Sequence, residues 1–107
     1  MLKKIRVLLD YGAYPVWLYD ENGDLIDTLL PLELRSDRNL DNRFDDLQQR
    51  YEALFINNTH EFTYIGFKST EECQSYVNDW RAAVAELRAK VAPGVIVQDE
   101  LREDELK

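Results

Sequence analysis

Residues 16–26, VWLYDENGDLI, carry the clearest fold signal in the chain, because an Asn-Gly pair separates two apolar runs. Such a pair is typical of a β-hairpin, since both central residues of a type I′ turn need positive φ. We therefore predict one strand before Asn22 and Gly23 and another that begins at Leu25. Residues 5–10 are rich in leucine and β-branched side chains and predict a strand before the hairpin. The chain is thus expected to begin with a three-stranded meander.

Two amphipathic helices are predicted after the meander. In the first, at about residues 38–55, apolar side chains recur every three or four positions, at Leu40, Phe44, Leu47, Tyr51 and Leu54. The second, at about residues 70–91, follows a capping box formed by Ser69 and Glu72. Its apolar stripe consists of Cys73, Tyr76, Val77, Trp80, Val84, Leu87 and Val91. Each helix is therefore expected to bury one face.

The order of the elements predicts the fold class. Residues 61–67 indicate a strand between the helices, and residues 95–97 indicate a short last strand. This order lacks a regular βαβ alternation, which favours an α+β fold with an antiparallel sheet of four to five strands and two amphipathic helices packed on one face. We expect residues 1–98 to form a single domain and the charged tail, residues 99–107, to fray.

Both faces of the predicted sheet carry large side chains. In the second strand Val16 and Leu18 point to one side, whereas Trp17 and Tyr19 point to the other. Helices on one side cover only one of these faces. The second face could be covered by a loop of the chain, by a second subunit or by a partner protein. The candidate loop residues are Tyr11, Tyr14 and Pro31.

The chain is acidic, with 21 Asp and Glu against 13 Lys and Arg and a formal net charge of -8. The excess lies mainly in residues 10–64, whereas residues 1–9 are basic. A surface of this sign repels phosphate and anionic membranes, so we expect neither nucleic-acid nor membrane binding. It attracts a basic partner. The alternative interpretation is that the acidity only keeps a small domain soluble.

The residues offer few means of catalysis. The chain has one cysteine and one histidine, so it has neither an intrachain disulfide nor the ligands of a usual zinc site. Cys73 lies on the apolar stripe of the second predicted helix and is expected to be a core residue. We predict no enzymatic activity, no metal and no cofactor, and a small enzyme that uses His60 with carboxylates is the competing hypothesis. The sequence shows no signal peptide or membrane span, so a cytoplasmic location is expected.

The candidate partner-binding residues are acidic groups that lie near aromatic ones in the sequence. One group, at and after the hairpin turn, consists of Asp20, Glu21, Asp24 and Asp27. A second group, on the first helix, consists of Asp37, Asp41, Asp45 and Asp46. Trp17 and Tyr19 of the second strand are candidates for apolar contacts. A basic protein is the partner that these residues predict, and for the helix a merely solvated face is the alternative.

Five runs of the sequence are similar to a known group of bacterial proteins. They are residues 4–12 (KIRVLLDYG), 14–20 (YPVWLYD), 23–27 (GDLID), 54–58 (LFINN) and 61–67 (EFTYIGF). In these runs the chain resembles the immunity proteins of contact-dependent growth inhibition and related polymorphic toxin systems. The resemblance implies a protein that binds a toxin domain delivered by a neighbouring cell and neutralises it by occluding its active site.

The resemblance also indicates the chemistry of the partner. Many such toxins are nucleases, and the active site of a nuclease is basic because it holds phosphate. An acidic inhibitor would present carboxylates where the nucleic-acid backbone would lie, and our specific expectation is a ribonuclease-like toxin domain. The competing interpretation is a homo-oligomeric structural or regulatory protein, such as a homodimer, that uses the aromatic sheet face.

Overall fold

The computed structural model, which describes residues 1–107, contains a four-stranded sheet, a separate two-stranded sheet and three α-helices, and confirms the predicted α+β class. The strands are β1 (Leu2–Val7), β2 (Val16–Asp20), β3 (Leu25–Asp27), β4 (Phe55–Asn57), β5 (Phe62–Tyr64) and β6 (Ile96–Asp99). The helices are α1 (Arg38–Glu52), α2 (Thr70–Lys90) and α3 (Glu103–Leu106), and a 3₁₀ turn covers Leu32–Leu34.

The main sheet has the strand order β3-β2-β1-β6. β1 and β2 pair antiparallel, as do β2 and β3, which confirms the predicted meander. The expectation of a purely antiparallel sheet is wrong for β6, which runs parallel to β1. A parallel pair requires a crossover connection, and the segment between β1 and β6 contains both long helices.

The β2–β3 hairpin forms where the sequence predicts it, but its turn is of another type. Asn22 has negative φ, and Gly23 alone takes the left-handed conformation, at φ 84°. The carboxylate of Asp20 accepts hydrogen bonds from the backbone N–H groups of Asn22 (2.9 Å) and Asp24 (3.0 Å). A side chain that binds the turn backbone in this way removes the need for a second positive φ.

The region around β4 and β5 differs from the prediction. We predicted a first helix that extends to residue 55 and a strand of the main sheet at residues 61–67, whereas α1 ends at Glu52 and β4 pairs antiparallel with β5. The side chain of Asn58 holds the turn, because its Oδ1 accepts from the N–H groups of His60 (2.8 Å) and Glu61 (3.0 Å). The result is a short hairpin outside the main sheet.

One hydrophobic core lies between the helices and one face of the main sheet. The sheet contributes Ile5, Val7, Val16 and Leu18. The helices contribute Leu40, Phe44, Leu47, Cys73, Tyr76, Val77, Trp80, Ala83, Val84 and Leu87. Most of the predicted stripe of each helix is thus buried. The polar atoms of the two largest core side chains are paired, since the Tyr76 hydroxyl donates to the Leu47 carbonyl (2.7 Å) and Trp80 Nε1 to Asp99 (2.8 Å).

The C-terminal segment, for which we expected fraying, packs against the core and contains α3. Leu106 is buried within the core cluster, and its carbonyl accepts from the Tyr64 hydroxyl (2.8 Å). Arg81 of α2 pairs with both Asp99 and Glu103. Two leucines, Leu101 and Leu106, and a set of paired charges therefore hold a segment whose other residues are polar or charged.

The second face of the main sheet, here called the outer face, remains open to solvent. The Arg6 guanidinium lies 5.6 Å above the Tyr19 ring and binds the Glu100 carboxylate through two nitrogens, at 2.6 and 2.7 Å. Leu25 and Ile96, on the two edge strands, are 50% and 48% exposed. No loop of the chain covers these edge residues.

The Arg6–Glu100 pair predicts how stability depends on pH. Hydrogen bonding from Arg6 lowers the pKa of Glu100 below its ordinary value of 4.5. A carboxyl whose pKa is lower in the folded than in the unfolded chain stabilises the fold above the unfolded pKa, and this contribution is lost as the pH falls through the folded pKa. Thermal unfolding should therefore show a melting temperature that falls between about pH 5 and pH 3. The melting temperature of Glu100→Gln should fall less steeply over that range. Identical pH dependence of the two melting temperatures would contradict a stabilising role for the Arg6–Glu100 pair.

Candidate partner-binding surfaces

The predicted acidic group at the hairpin turn is largely engaged in local structure. Asp20 binds the turn backbone, as described above, and Asp27 accepts from the Thr28 N–H (2.8 Å). Glu21 lies 3.1 Å from the N-terminal ammonium, and a backbone hydrogen bond and this ammonium lower its pKa. The carboxylate of Asp24 makes no hydrogen bond or ion pair. This group therefore stabilises the turn as much as it offers charge to a partner.

The predicted acidic group on α1 divides into two kinds. Asp37 caps the helix by accepting from the Leu40 N–H (3.1 Å), and an ion pair with Lys90 lowers its pKa. Asp46 pairs with Arg50 (3.3 Å). Asp41 and Asp45, by contrast, are exposed and have no cationic partner. Of the four carboxylates, only those of Asp41 and Asp45 are not neutralised by a cation of the chain.

The loop of residues 10–14 lies along α1 beside Asp41. The Tyr14 hydroxyl donates to Asp41 (2.8 Å), Gln48 Nε2 donates to the carbonyl of Asp10 (2.8 Å), and the Gly12 N–H donates to Glu52 (2.7 Å). Asp41, Asp45, Gln48 and Glu52 follow one another at intervals of three or four and so share one face of the helix. We call the four carboxylates of Asp10, Asp41, Asp45 and Glu52 the acidic ridge.

No cation neutralises the acidic ridge. The ion pairs of the chain involve other carboxylates, namely those of Glu21, Asp37, Asp46, Asp79, Glu86, Asp99, Glu100, Glu103 and Glu105. The negative charge of Asp10 also acts on Tyr51 of α1. The pKa of Tyr51 is raised by burial and by the charges of Asp10 and Glu105. The ridge is therefore a source of negative field.

The two predicted acidic groups do not form one surface. Tyr14, which binds Asp41, precedes β2, whereas the turn that contains Asp20 and Asp24 follows it. At about 3.3 Å per residue, β2 separates its two ends by about 13 Å. A partner that covers the ridge would have to extend well beyond it to reach the turn.

Trp17 and Tyr19 lie on the outer face and not beside the acidic ridge. Trp17 Nε1 donates to the Tyr14 carbonyl (2.9 Å), and the Tyr19 hydroxyl accepts from Arg6 (3.0 Å). Lys4 also lies 5.6 Å above the Tyr19 ring. The surroundings of the Tyr19 ring are thus cationic, which does not suit contact with a basic partner.

A group of three aromatic rings, two half-buried and one exposed, adjoins the acidic ridge and was not found from the sequence. We call Tyr11, Phe55 and Phe62 the aromatic patch. The rings of Phe55 and Phe62 stack with centroids 5.0 Å apart, and Tyr11 lies 5.1 Å from the first and 4.8 Å from the second. Phe62 is 55% exposed. The signal in the sequence was the pair of short apolar runs on either side of Asn58, which indicates a hairpin once residues 55–57 are taken as a strand.

A cleft continues the aromatic patch toward the C-terminal segment. Its volume is about 500 Å³, and Phe55 borders both the cleft and the patch. Apolar side chains form most of its wall, among them Tyr51, Tyr64, Leu101 and Leu106. The ridge, which runs along α1 from Asp41 to Glu52, therefore meets the patch and the cleft at the C-terminal end of the helix.

Comparison with known proteins identifies one family that the chain matches. The family model described as Serratia CdiI immunity protein-like matches residues 3–98. No curated protein matches the chain. In the structure, no helix combines the length and the apolar character that crossing a membrane requires.

Proposed function

The chain belongs to the Serratia CdiI immunity protein-like family, and we propose that the toxin it neutralises is a nuclease whose basic active site it occludes with an acidic surface. Family membership makes the chain an immunity protein that binds and neutralises a cognate toxin, and it supports an inhibitory role. The nature of the toxin and the surface that meets it are the subject of the proposal.

The acidic ridge is the observation that carries the proposal. Its carboxylates have no cationic partner in the chain, so binding to a basic surface would not first have to break internal ion pairs. The active site of a nuclease presents lysine and arginine side chains to phosphate groups. Carboxylates at the same positions would pair with these cations and exclude the nucleic acid.

The dimensions of the acidic ridge fit this role. From Asp41 to Glu52 the helix rises by about 16 Å, at about 1.5 Å per residue. A rigid helix therefore displays the charges along a line, and the loop of residues 10–14 adds Asp10 beside it. Such a line matches a groove that holds an extended backbone, and we favour a ribonuclease-like toxin. We also propose that the chain acts in the cytoplasm, where the substrate of such a toxin lies.

Digestion of nucleic acid tests the proposal directly. The cognate toxin domain, to be sought in the products of the genes that adjoin the gene of this chain, should degrade RNA when it is incubated alone. Addition of the chain should stop degradation at one molecule per toxin, because one occluding protein blocks one active site. The same assay with DNA is the control for substrate type. A toxin that digests neither nucleic acid, or one that digests either at full rate while bound to the chain, would contradict the proposal.

A further inference from the structure

The continuity of the acidic ridge with the aromatic patch indicates how the toxin is held. Resting on the proposed function, we infer that the cognate toxin binds across the acidic ridge and the aromatic patch. One arginine side chain of the toxin stacks on the ring face of Phe62 that points away from Phe55. The ridge would guide the basic partner, and the patch would retain it. The inference concerns the position of the interface, which neither the family nor the sequence assigns.

The geometry of the three rings leaves one face of Phe62 free. Phe55 and Phe62 are almost parallel, with an interplanar angle of 13°, so Phe55 covers one face of Phe62. Tyr11 lies almost equally far from the two rings and nearly perpendicular to both, at 77° and 86°. A ring placed on the far side of Phe62 would be much farther from Phe55 than the observed 5.1 Å. Tyr11 therefore lies beside the stack, and the ring face of Phe62 that points away from Phe55 is not covered by either ring.

The free face lies on a preformed and exposed support. The Tyr11 hydroxyl accepts a hydrogen bond from Asn57 Nδ2 (3.0 Å), which ties the loop to β4. Rigid aromatic side chains that lose water on binding contribute a large share of the affinity in protein interfaces. A ring that is already fixed loses little conformational entropy when a partner covers it.

Charge selects the kind of side chain that fits this face. Asp10 directly precedes Tyr11, and its carboxylate has no cationic partner. Glu105, whose side chain is mostly exposed, borders the adjoining cleft, where it pairs with Arg102 at 3.5 Å. A guanidinium group stacks flat on an aromatic ring and can bind a carboxylate at the same time, which a lysine ammonium does less well.

A second copy of the chain fits this surface poorly. A symmetric dimer through the aromatic patch would bring the acidic ridges of two copies close together, and unscreened like charges oppose such an association. The acidic ridge also repels the negatively charged phosphates of nucleic acid. A basic protein is the occupant that the surroundings favour.

Substitution of Phe62 tests the inference. Phe62→Ala should weaken binding of the toxin domain by on the order of thirtyfold, mainly through faster dissociation, because truncation of an anchoring side chain costs about 2 kcal/mol or more. The toxin domain would carry an inactivating substitution, and both rates would be measured by surface plasmon resonance. Ile96→Ala is the matched control, since Ile96 is 48% exposed on the outer face and away from the patch. Unchanged melting temperatures would show that both variants are folded.

A second variant separates stacking from general apolar contact. Phe62→Leu keeps most of the apolar area but removes the aromatic face, so it should bind several-fold more weakly than the native chain. Native affinity in Phe62→Leu would overturn the arginine contact. Native affinity in Phe62→Ala, while the native chain still inhibits the toxin, would overturn the whole inference and leave the proposed function intact. Failure of the native chain to inhibit would instead overturn the proposed function.

Discussion

Replacing Trp80 by alanine is expected to lower the free energy of unfolding by about 3–5 kcal/mol. The Trp80 side chain is 0% exposed and lies at the centre of the core, with its ring centroid 6.5 Å from that of Tyr76. Its removal leaves a cavity between α2 and the sheet, and Asp99 loses the hydrogen bond that Nε1 donates. Urea unfolding followed by circular dichroism would measure the loss.

The other tryptophan of the chain is the matched control. Trp17 lies half-buried on the outer face and donates one hydrogen bond to the Tyr14 carbonyl. Trp17→Ala should therefore destabilise the protein much less than Trp80→Ala, because solvent and neighbouring side chains can fill the space. Equal losses for the two variants would show that the core is not where the structure places it.

Reversing two charges of the acidic ridge should slow association with the toxin by about ten- to a hundredfold. The variant Asp10→Lys with Asp45→Lys is suited to this test, since neither carboxylate makes a hydrogen bond or ion pair within the chain, and the fold should be unaffected. The expected change lies in the association rate, because the long-range field acts before the two proteins touch. Stopped-flow fluorescence with the inactivated toxin domain would measure it.

Asp24→Lys with Asp27→Lys is the control for net charge. It changes the total charge of the chain by the same amount as the ridge variant, but at the hairpin turn, on the far side of β2. If the ridge is the docking surface, this control should slow association clearly less. Equal slowing by the two variants would mean that total charge, and not its position, governs the encounter.

The elements that were predicted correctly are those with strong local signals. The helical stripe from Cys73 to Leu87 and the Ser69 cap depend on residues at most a few positions apart, and α2 begins and ends almost where the sequence places it. The β2–β3 hairpin has a similarly local signal at Gly23. The parallel pairing of β6 with β1 joins segments almost at opposite ends of the chain, and no local pattern specifies it.

The candidate site was predicted only in part, for a related reason. The sequence identifies the acidic residues but not which of them are neutralised. Asp37 forms an ion pair with Lys90, which is distant in the chain, whereas Asp45 has no cationic partner. The aromatic patch escaped prediction because Tyr11, Phe55 and Phe62 come from three separate segments that only the β4–β5 hairpin and the loop of residues 10–14 bring together.

The dependence of the association rate on salt tests most directly whether an acidic surface draws this immunity protein to its toxin. The rate constant for the native chain and the inactivated toxin domain would be measured from about 0.01 M to about 0.15 M ionic strength, over which the Debye length falls from about 30 Å to about 8 Å. We predict a fall of at least about tenfold, with a dissociation rate that changes far less. An association rate that stays constant over this range would contradict electrostatic docking on the acidic ridge.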